Sequence, residues 1–308
     1  MRPGLFKPYY FYRLLRWKMG NRDPLTAVAK ITNRCNLRCD HCPWWKRDID
    51  DATTEEWKEL LDEARERGVI HLIFEGGEPT LRDDLDVLID HAKDLGMLVM
   101  VITNGTTDLA KFEPDSYWIS VEGIGETHDK NREKGVFDRM VQNLRENREV
   151  NKTACVTLHK YNASEIEEIA DCFSPLTDGV WFNFMYPYED SKDIALSPSE
   201  QEEVAQDIID LKDKGGYNII NSYSYLRSVG KNMGNKRETC PSFLTLLIDA
   251  DMTMRQGCTA EQIEDCKCEL CNAGCYGELT QAMKLKPDAI NFLKKTVGLE
   301  SDKLLWLK

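Results

Sequence analysis

The chain is 308 residues long, carries a formal net charge of −13, and is 30% charged and 42% hydrophobic. That length suits one large α/β domain with a small appendage, and the acidic balance argues against nucleic acid as a partner, because phosphate binding needs a basic surface. No run of about 18 apolar residues occurs, so no membrane-spanning helix is expected.

Residues 1–22 hold Arg2, Lys7, Arg13, Arg16, Lys18 and Arg22 without an acid, interleaved with Tyr9, Tyr10, Phe11, Tyr12 and Trp17. Cations and rings on a short helix suit a membrane interface. The competing reading is a helix whose aromatics cover the bottom of a barrel. The segment shows no signal-peptide pattern. Eleven cysteines, mostly clustered, therefore point to metal or cluster ligation in a reducing cytoplasm rather than to disulfides. The expected location is cytoplasmic, with peripheral membrane contact through residues 1–22 as an expected partner surface.

Short apolar or β-branched runs at 26–32, 69–74, 97–102, 116–121, 153–158 and 179–184 read as strands. Amphipathic segments near 54–66, 82–95, 136–149 and 164–172 read as the helices between them, with Thr53 or Thr54 and Ser164 as N-caps and Gly68 and Gly96 as C-caps. Strand–helix alternation predicts parallel strands joined by right-handed crossovers. The expected fold class is α/β, a partial (β/α)6 TIM-like barrel with a small Cys-rich C-terminal module, and function belongs at the C-terminal strand ends. The expected boundaries are 1–25 for the basic aromatic segment, 26–239 for the barrel and its exit, and 240–308 for the module. A helix near 198–214, capped by Ser197 or Ser199, leads out of the barrel, and a final helix spans about 278–296.

Cys35, Cys39 and Cys42 follow the first strand, spaced three and then two residues apart. A loop of this spacing can hold three corners of an iron–sulfur cube by thiolate ligation. No fourth Cys lies nearby, which leaves the fourth iron for a small molecule. A zinc knuckle using His41 as well is the alternative, with poor tetrahedral geometry from adjacent His41 and Cys42.

Cys-x3-Cys-x2-Cys after a first strand, with Trp44 and Trp45 at the loop's end, resembles the radical S-adenosylmethionine (SAM) enzymes. The resemblance implies a [4Fe-4S] cluster that binds SAM and, given one electron, cleaves it to a hydrogen-abstracting 5′-deoxyadenosyl radical. It also implies an electron donor such as ferredoxin or flavodoxin. Gly76, Gly77, Glu78 and Pro79, at the end of the second strand, match the motif that binds the methionyl amine; Thr103 and Asn104 match the residues near the ribose. Ser120 through Phe137 is similar to the "Ser-Leu-Asp-Gly … His-Asp … Arg … Gly-x-Phe" run of sulfatase maturases and peptide-modifying enzymes. Ser120 would face SAM, Glu122 stands where the family has Asp, and His128 reads as a structural hydrogen-bonding residue rather than a general base.

The C-terminal cysteines read as a β-hairpin with Cys240 and Cys258 at its ends, then Cys268-x2-Cys271-x3-Cys275. This resembles the SPASM/Twitch extensions that hold auxiliary clusters. One auxiliary [4Fe-4S] cluster is expected on Cys240, Cys258, Cys268 and Cys271, with Cys275 an alternate or additional ligand, Cys266 a spare and structural zinc the competing reading. Cys155 and Cys172 read as buried small apolar residues. Trp181, Phe182, Phe184 and Met185 read chiefly as core, and Tyr186 and Tyr188 as residues that reach the site.

The expected activity is that of a radical SAM enzyme acting on a small molecule, leaning to a hydrophobic lipid or isoprenoid. That leaning comes from the N-terminus and from the similarity of the 268–276 stretch to the tail of adenosylhopane synthases. Peptide or protein modification is the alternative, and a non-catalytic iron–sulfur or zinc scaffold is the alternative of another class.

Overall fold

The computed structural model describes residues 12, 16, 19–39, 42–186, 193–231, 240–259, 268 and 270–296. Most of the 1–22 segment, His41, Tyr188 and Cys266 lie outside them.

Six parallel strands follow one another in the sheet: β1 (Thr26–Thr32), β2 (His71–Gly76), β3 (Leu98–Thr103), β4 (Ser116–Val121), β5 (Lys152–Leu158) and β6 (Gly179–Phe184). This is the expected partial barrel of six parallel strands. Two further strands join it. β7 (Thr245–Ile248) lies parallel to β1 on its other side, and β8 (Met254–Gln256) pairs antiparallel with β7. The predicted hairpin therefore exists, and its first strand extends the barrel's own sheet. The strand order β6-β5-β4-β3-β2-β1-β7-β8 leaves β6 and β8 as the two edges of an unclosed sheet.

Parallel strands covered on both faces need apolar residues on both, and the two-residue period sorts them. Ala27, Ala29 and Ile31, Leu72 and Phe74, Val99 and Val101, Ile119 and Val121, and Ala154 and Val156 face the outer helices in one large core. The other face turns into the barrel. There Met100, Trp118 and Trp181 form a second cluster with Ile73, Ile102 and Cys155. Trp118 and Trp181 meet at 4.7 Å between ring centroids, and Phe292 of the helix Pro287–Thr296 stacks on Trp181 at 6.2 Å. Nearer the C-terminal strand ends the inner face turns polar, with Lys30, Glu75, Ser120 and Asn183.

Local signals set most element ends. Thr53 caps the helix Thr54–Glu66 in a reciprocal box with Glu56, and Ser197 does the same with Glu200 for Pro198–Lys214. Gly68 and Gly96 take positive φ just past their helices. Ser164 is not a cap: the helix Ile166–Phe173 starts after Glu165, whose carboxylate instead accepts the Ile124 N–H and the Thr127 hydroxyl. The expected final helix is two, Gly274–Met283 and Pro287–Thr296. They break where Leu285 turns to φ 59° and Pro287 begins the second. Among the described residues, no helix is long and apolar enough to cross a membrane.

Candidate active site

The loop after β1 gathers its three cysteines around Leu37 and Val136, with Cys39 buried and Cys35 and Cys42 half-buried. Backbone bonds hold the turn: the Cys42 N–H donates to the Cys39 carbonyl at 3.2 Å, and the Leu37 N–H points at Cys35 Sγ at 3.4 Å. Side chains brace it from outside. Trp45 Nε1 donates to the Cys39 carbonyl at 2.9 Å, and the Arg38 guanidinium to the Cys35 carbonyl at 2.6 Å. Burial pushes the Cys39 thiol up to about 11, and the charges of Cys42 and Cys35 add to the rise while Arg132 opposes it. Burial raises Cys35 as well. Thiols raised like those of Cys35 and Cys39 ionise only beside concentrated positive charge, which a bound cluster would provide.

Among the described residues, no three His, Cys, Asp or Glu side chains converge on one ion-sized position. A cube takes one thiolate per iron, and the all-thiol donor set of Cys35, Cys39 and Cys42, packed together with Leu37 and Val136, fits that chemistry.

The paired glycines at the end of β2 have a local cause. A Cβ on Gly76 would stand 2.3 Å from the Thr32 carbonyl oxygen, and one on Gly77 2.2 Å from that of Arg34. Gly77 and Glu78 donate their N–H groups to those same two carbonyls at 2.7 and 2.8 Å. What approaches the glycines closely is the start of the cysteine loop, seated on β2 where the β1–β2 register shifts between Lys30 and Thr32.

Glu78 is buried, and burial raises its carboxyl against the hydrogen bonds it accepts. Its Oε1 takes the Thr80 N–H and hydroxyl and the Thr103 hydroxyl, and its Oε2 takes the Asn104 N–H. Pro79 opens a short 3-10 turn capped by Glu78. Asn104 Nδ2 reaches Asn36 in the cysteine loop at 2.8 Å. Gly76 through Pro79, Thr103 and Asn104 thus form one ledge bonded to the loop that carries Cys35. Ser120 sits half-buried on the inner face of β4, in register with Cys155.

Behind the cysteines lies a set of residues to which the sequence reading gave little role. Arg132 reaches Glu122 at 3.3 Å, and Glu122 lies 3.6 Å from His159 Nε2, all three nine-tenths buried or more. Glu122's N–H donates to His128 Nδ1 at 3.2 Å, and burial drives His128 down to about 3. The imidazole is therefore a neutral structural acceptor, as expected. Lys30 also went unremarked: its ammonium pairs with Glu75 at 2.5 Å and lies 3.7 Å from the centre of the Trp44 ring. A lone Lys within the apolar run of β1, on the inward parity, was the available signal. Cys155 and Cys172 are half-buried rather than fully so; Cys155 faces the barrel interior against the tryptophan pair.

The C-terminal thiols also converge. Cys240 and Cys258 pack with Tyr186 and Tyr276, and Cys275 stands within electrostatic reach of Cys258, Cys271 and Cys240. Cys268 and Cys271 are felt at Cys240, whose thiol burial pushes up. Asn272 anchors this loop by donating to Gln201 at 2.6 Å and accepting from Tyr225 at 2.7 Å. Arg47 meets Asp249 at 2.7 Å, joining the end of the first cysteine loop to the hairpin turn. The thiol-only donor set fits an auxiliary cluster by the same reasoning as the first.

Residues 29–173 match the Radical SAM superfamily. The chain is 34% identical over 194 residues to the Fe-coproporphyrin III synthase of Methanosarcina barkeri, covering 57% of this chain and 49% of that protein. It is 35% identical over 127 residues to the PqqA peptide cyclase of Bradyrhizobium diazoefficiens, covering 38% and 31%. The chain thus spans about half or less of the curated relatives it matches. Among solved structures, Streptococcus suis SuiB bound to its precursor peptide SuiA superposes with a TM-score of 0.65 at 17% identity, over 82% of this chain and 64% of that one. That likeness is one of fold alone.

Proposed function

The chain belongs to the radical SAM superfamily, and from that premise we propose that it abstracts hydrogen from a peptide substrate admitted at the C-terminal ends of β1–β6. The observation that carries the reading is the bonded ledge: the loop of Cys35, Cys39 and Cys42 and the strand end of Gly76–Glu78 are one hydrogen-bonded unit. When bound, the [4Fe-4S] cluster and SAM supply one-electron hydrogen abstraction.

The chain's own residues do the placing. Cys35, Cys39 and Cys42 would hold the cluster through their thiolates. The backbone around Gly76–Glu78 would receive the amine of SAM, Thr103 and Asn104 its ribose, and Arg132 would offer a cation for its carboxylate. Ser120, on the inner face of β4, would contribute a hydroxyl to the same site. The apolar inner layer of Trp118 and Trp181 excludes water below the site, which protects a reactive centre from side reactions. Cys240, Cys258, Cys268 and Cys271, with Cys275 as the alternate or additional ligand, would hold one auxiliary cluster. A small reduced carrier of the ferredoxin or flavodoxin kind supplies the electron.

Support for a peptide comes from the run Ser120–Phe137 and from the similarity to the PqqA peptide cyclase. A tetrapyrrole is the second reading, favoured by the longer match to the Fe-coproporphyrin III synthase. The lipid or isoprenoid substrate expected from residues 1–22 and from the 268–276 stretch draws no support: most of residues 1–22 lie outside the described residues, and the relatives named above are a porphyrin synthase and a peptide cyclase.

The test is anaerobic reconstitution followed by SAM and dithionite, with release of 5′-deoxyadenosine as readout and Cys35→Ala as the inactive control. Perdeuterated peptides and deuterated iron coproporphyrin are then offered separately. Deuterium in 5′-deoxyadenosine from the peptides alone supports the first reading, and from the porphyrin alone the second. No 5′-deoxyadenosine from a fully loaded protein sinks both.

A further inference from the structure

We infer that Tyr186 donates a hydrogen bond to Cys275 as a ligand of the auxiliary cluster, with Cys240, Cys258 and Cys271 completing the set, and that this bond sets the cluster's potential. The inference rests on the reading of the C-terminal thiols as a cluster site and goes beyond it by choosing among them.

Tyr186 Oη lies 3.2 Å from Cys275 Sγ and 3.1 Å from Thr259 Oγ1. A ligating thiolate carries no proton and can only accept, while each hydroxyl can do both. The chain of donors therefore runs in one direction, from Thr259 to Tyr186 to Cys275. Its geometry is held at both ends. Asn183 of β6, three residues before Tyr186, accepts the N–H of Gly274, the residue before Cys275, at 2.6 Å. The Thr259 N–H donates to the Tyr276 hydroxyl at 3.1 Å. Strand end, hairpin end and cysteine helix are thus locked together around this hydroxyl.

Tyr186 packs against Cys240 and Cys258 while its hydroxyl reaches Cys275, so three of the thiols meet at one side chain. Cys271 stands in the loop that leads into the helix of Cys275 and completes the set. A hydrogen bond to a ligand sulfur stabilises the more negative, reduced form of a cluster, and so raises its potential.

The experiment is an EPR redox titration of the full chain, reconstituted with iron and sulfide, alongside iron analysis. Tyr186→Phe is expected to keep its iron and move the auxiliary potential to more negative values, leaving the first cluster's potential where it was. Thr259→Val, which withdraws the donor behind Tyr186, is expected to shift it the same way by less. Cys275→Ser is expected to lose the auxiliary signal, and Cys268→Ser to retain it. An unmoved potential in an iron-replete Tyr186→Phe protein overturns the inference; if that variant loses its iron, an unmoved potential in Thr259→Val overturns it instead. Loss of the auxiliary signal in Cys268→Ser but not in Cys275→Ser overturns the ligand choice. A wild-type protein with only one cluster removes the underlying reading, and is recognised by its iron content before any variant is compared.

Discussion

Glu78 accepts the backbone N–H of Asn104 at 2.8 Å, tying the end of β2 to the end of β3 across the mouth of the site. Three more donors reach the same buried carboxylate, two from Thr80 and one from Thr103. Glu78→Gln preserves the shape but puts an amide NH2 where donors converge, so at least one bond is lost and two donors face each other. Hydrogen bonds to charged groups are each worth about 1.5–3 kcal/mol, and a loss of that order is expected in stability. Because Thr103 and Asn104 lean on the carboxylate, SAM affinity should fall by about tenfold or more, equivalent to about 1.4 kcal/mol. Thermal melts and equilibrium dialysis with SAM check both; wild-type SAM affinity in the variant would show that the ledge does not position the ligand.

Gly77 offers a cleaner perturbation of the cysteine loop. An alanine Cβ there would meet the Arg34 carbonyl oxygen at 2.2 Å and carbon at 2.6 Å, which are backbone atoms that cannot swing aside. Overpacking of this kind costs about 1–3 kcal/mol, and the strain falls on the residues leading into Cys35. Gly77→Ala should therefore lose the first cluster's iron while keeping the auxiliary cluster's. Iron analysis of the reconstituted variant decides, and a full complement of iron would mean that the loop absorbs the methyl group.

How much of this was legible in the sequence varies with the range of the interaction. β1, β4 and β6 could be placed residue by residue, because each is a short apolar run ended by a turn. β2 begins at His71 rather than 69 because the N–H of Val69 is still committed to Ala64 at the close of the preceding helix. The hairpin of β7 and β8 could be read from its turn residues, but its seat beside β1 could not, since parallel pairing across more than two hundred residues leaves no local mark. The cysteines and Gly76–Glu78 were visible as spaced motifs. Their union was not, because the bond from Asn104 to Asn36 and the fit of Gly77 under Arg34 exist only after folding.

Arg132 lies within the Ser120–Phe137 run, and the structure gives it a position to test. Its charge is felt at both Cys35 and Cys39, and Glu122 holds it at 3.3 Å. Arg132→Leu should raise the KM for SAM by about tenfold or more, since a charge-assisted contact is lost. Glu122→Gln keeps the guanidinium but loosens it, and should raise KM by less. Steady-state release of 5′-deoxyadenosine against SAM concentration measures both. Equal KM values in wild type and Arg132→Leu would remove the arginine from the SAM site.

Two buried imidazoles and two buried carboxyls pull stability in opposite directions as pH falls. Burial drives His71 down to about 4 and His128 to about 3, against about 6.5 in an unfolded chain. Below pH 6.5 the unfolded state therefore takes up protons that the folded state refuses, and the imidazoles' contribution to stability falls as pH falls. The loss begins near 6.5 and continues toward the folded values, at up to about 1.4 kcal/mol per pH unit for each histidine. The carboxyls of Asp84, Asp251 and Asp288 are held below their ordinary value, so their contribution is lost only nearer pH 4 and below. Between pH 6.5 and 5 the histidines are opposed by Glu278, whose carboxyl burial pushes up to about 8, and by Glu78, which burial also raises: the folded state holds their protons before the unfolded state does, so their contribution to stability grows as pH falls. His128→Asn places an amide oxygen where Nδ1 accepts the Glu122 N–H, and His71→Gln removes the second titrating group. In the double variant the Glu278 and Glu78 carboxyls act unopposed, so the urea midpoint at pH 5 relative to pH 7.5 should be higher than in the wild type. A variant whose midpoint follows the wild type's across this range would show that these imidazoles can be protonated without unfolding, and that the acid response arises elsewhere in the chain.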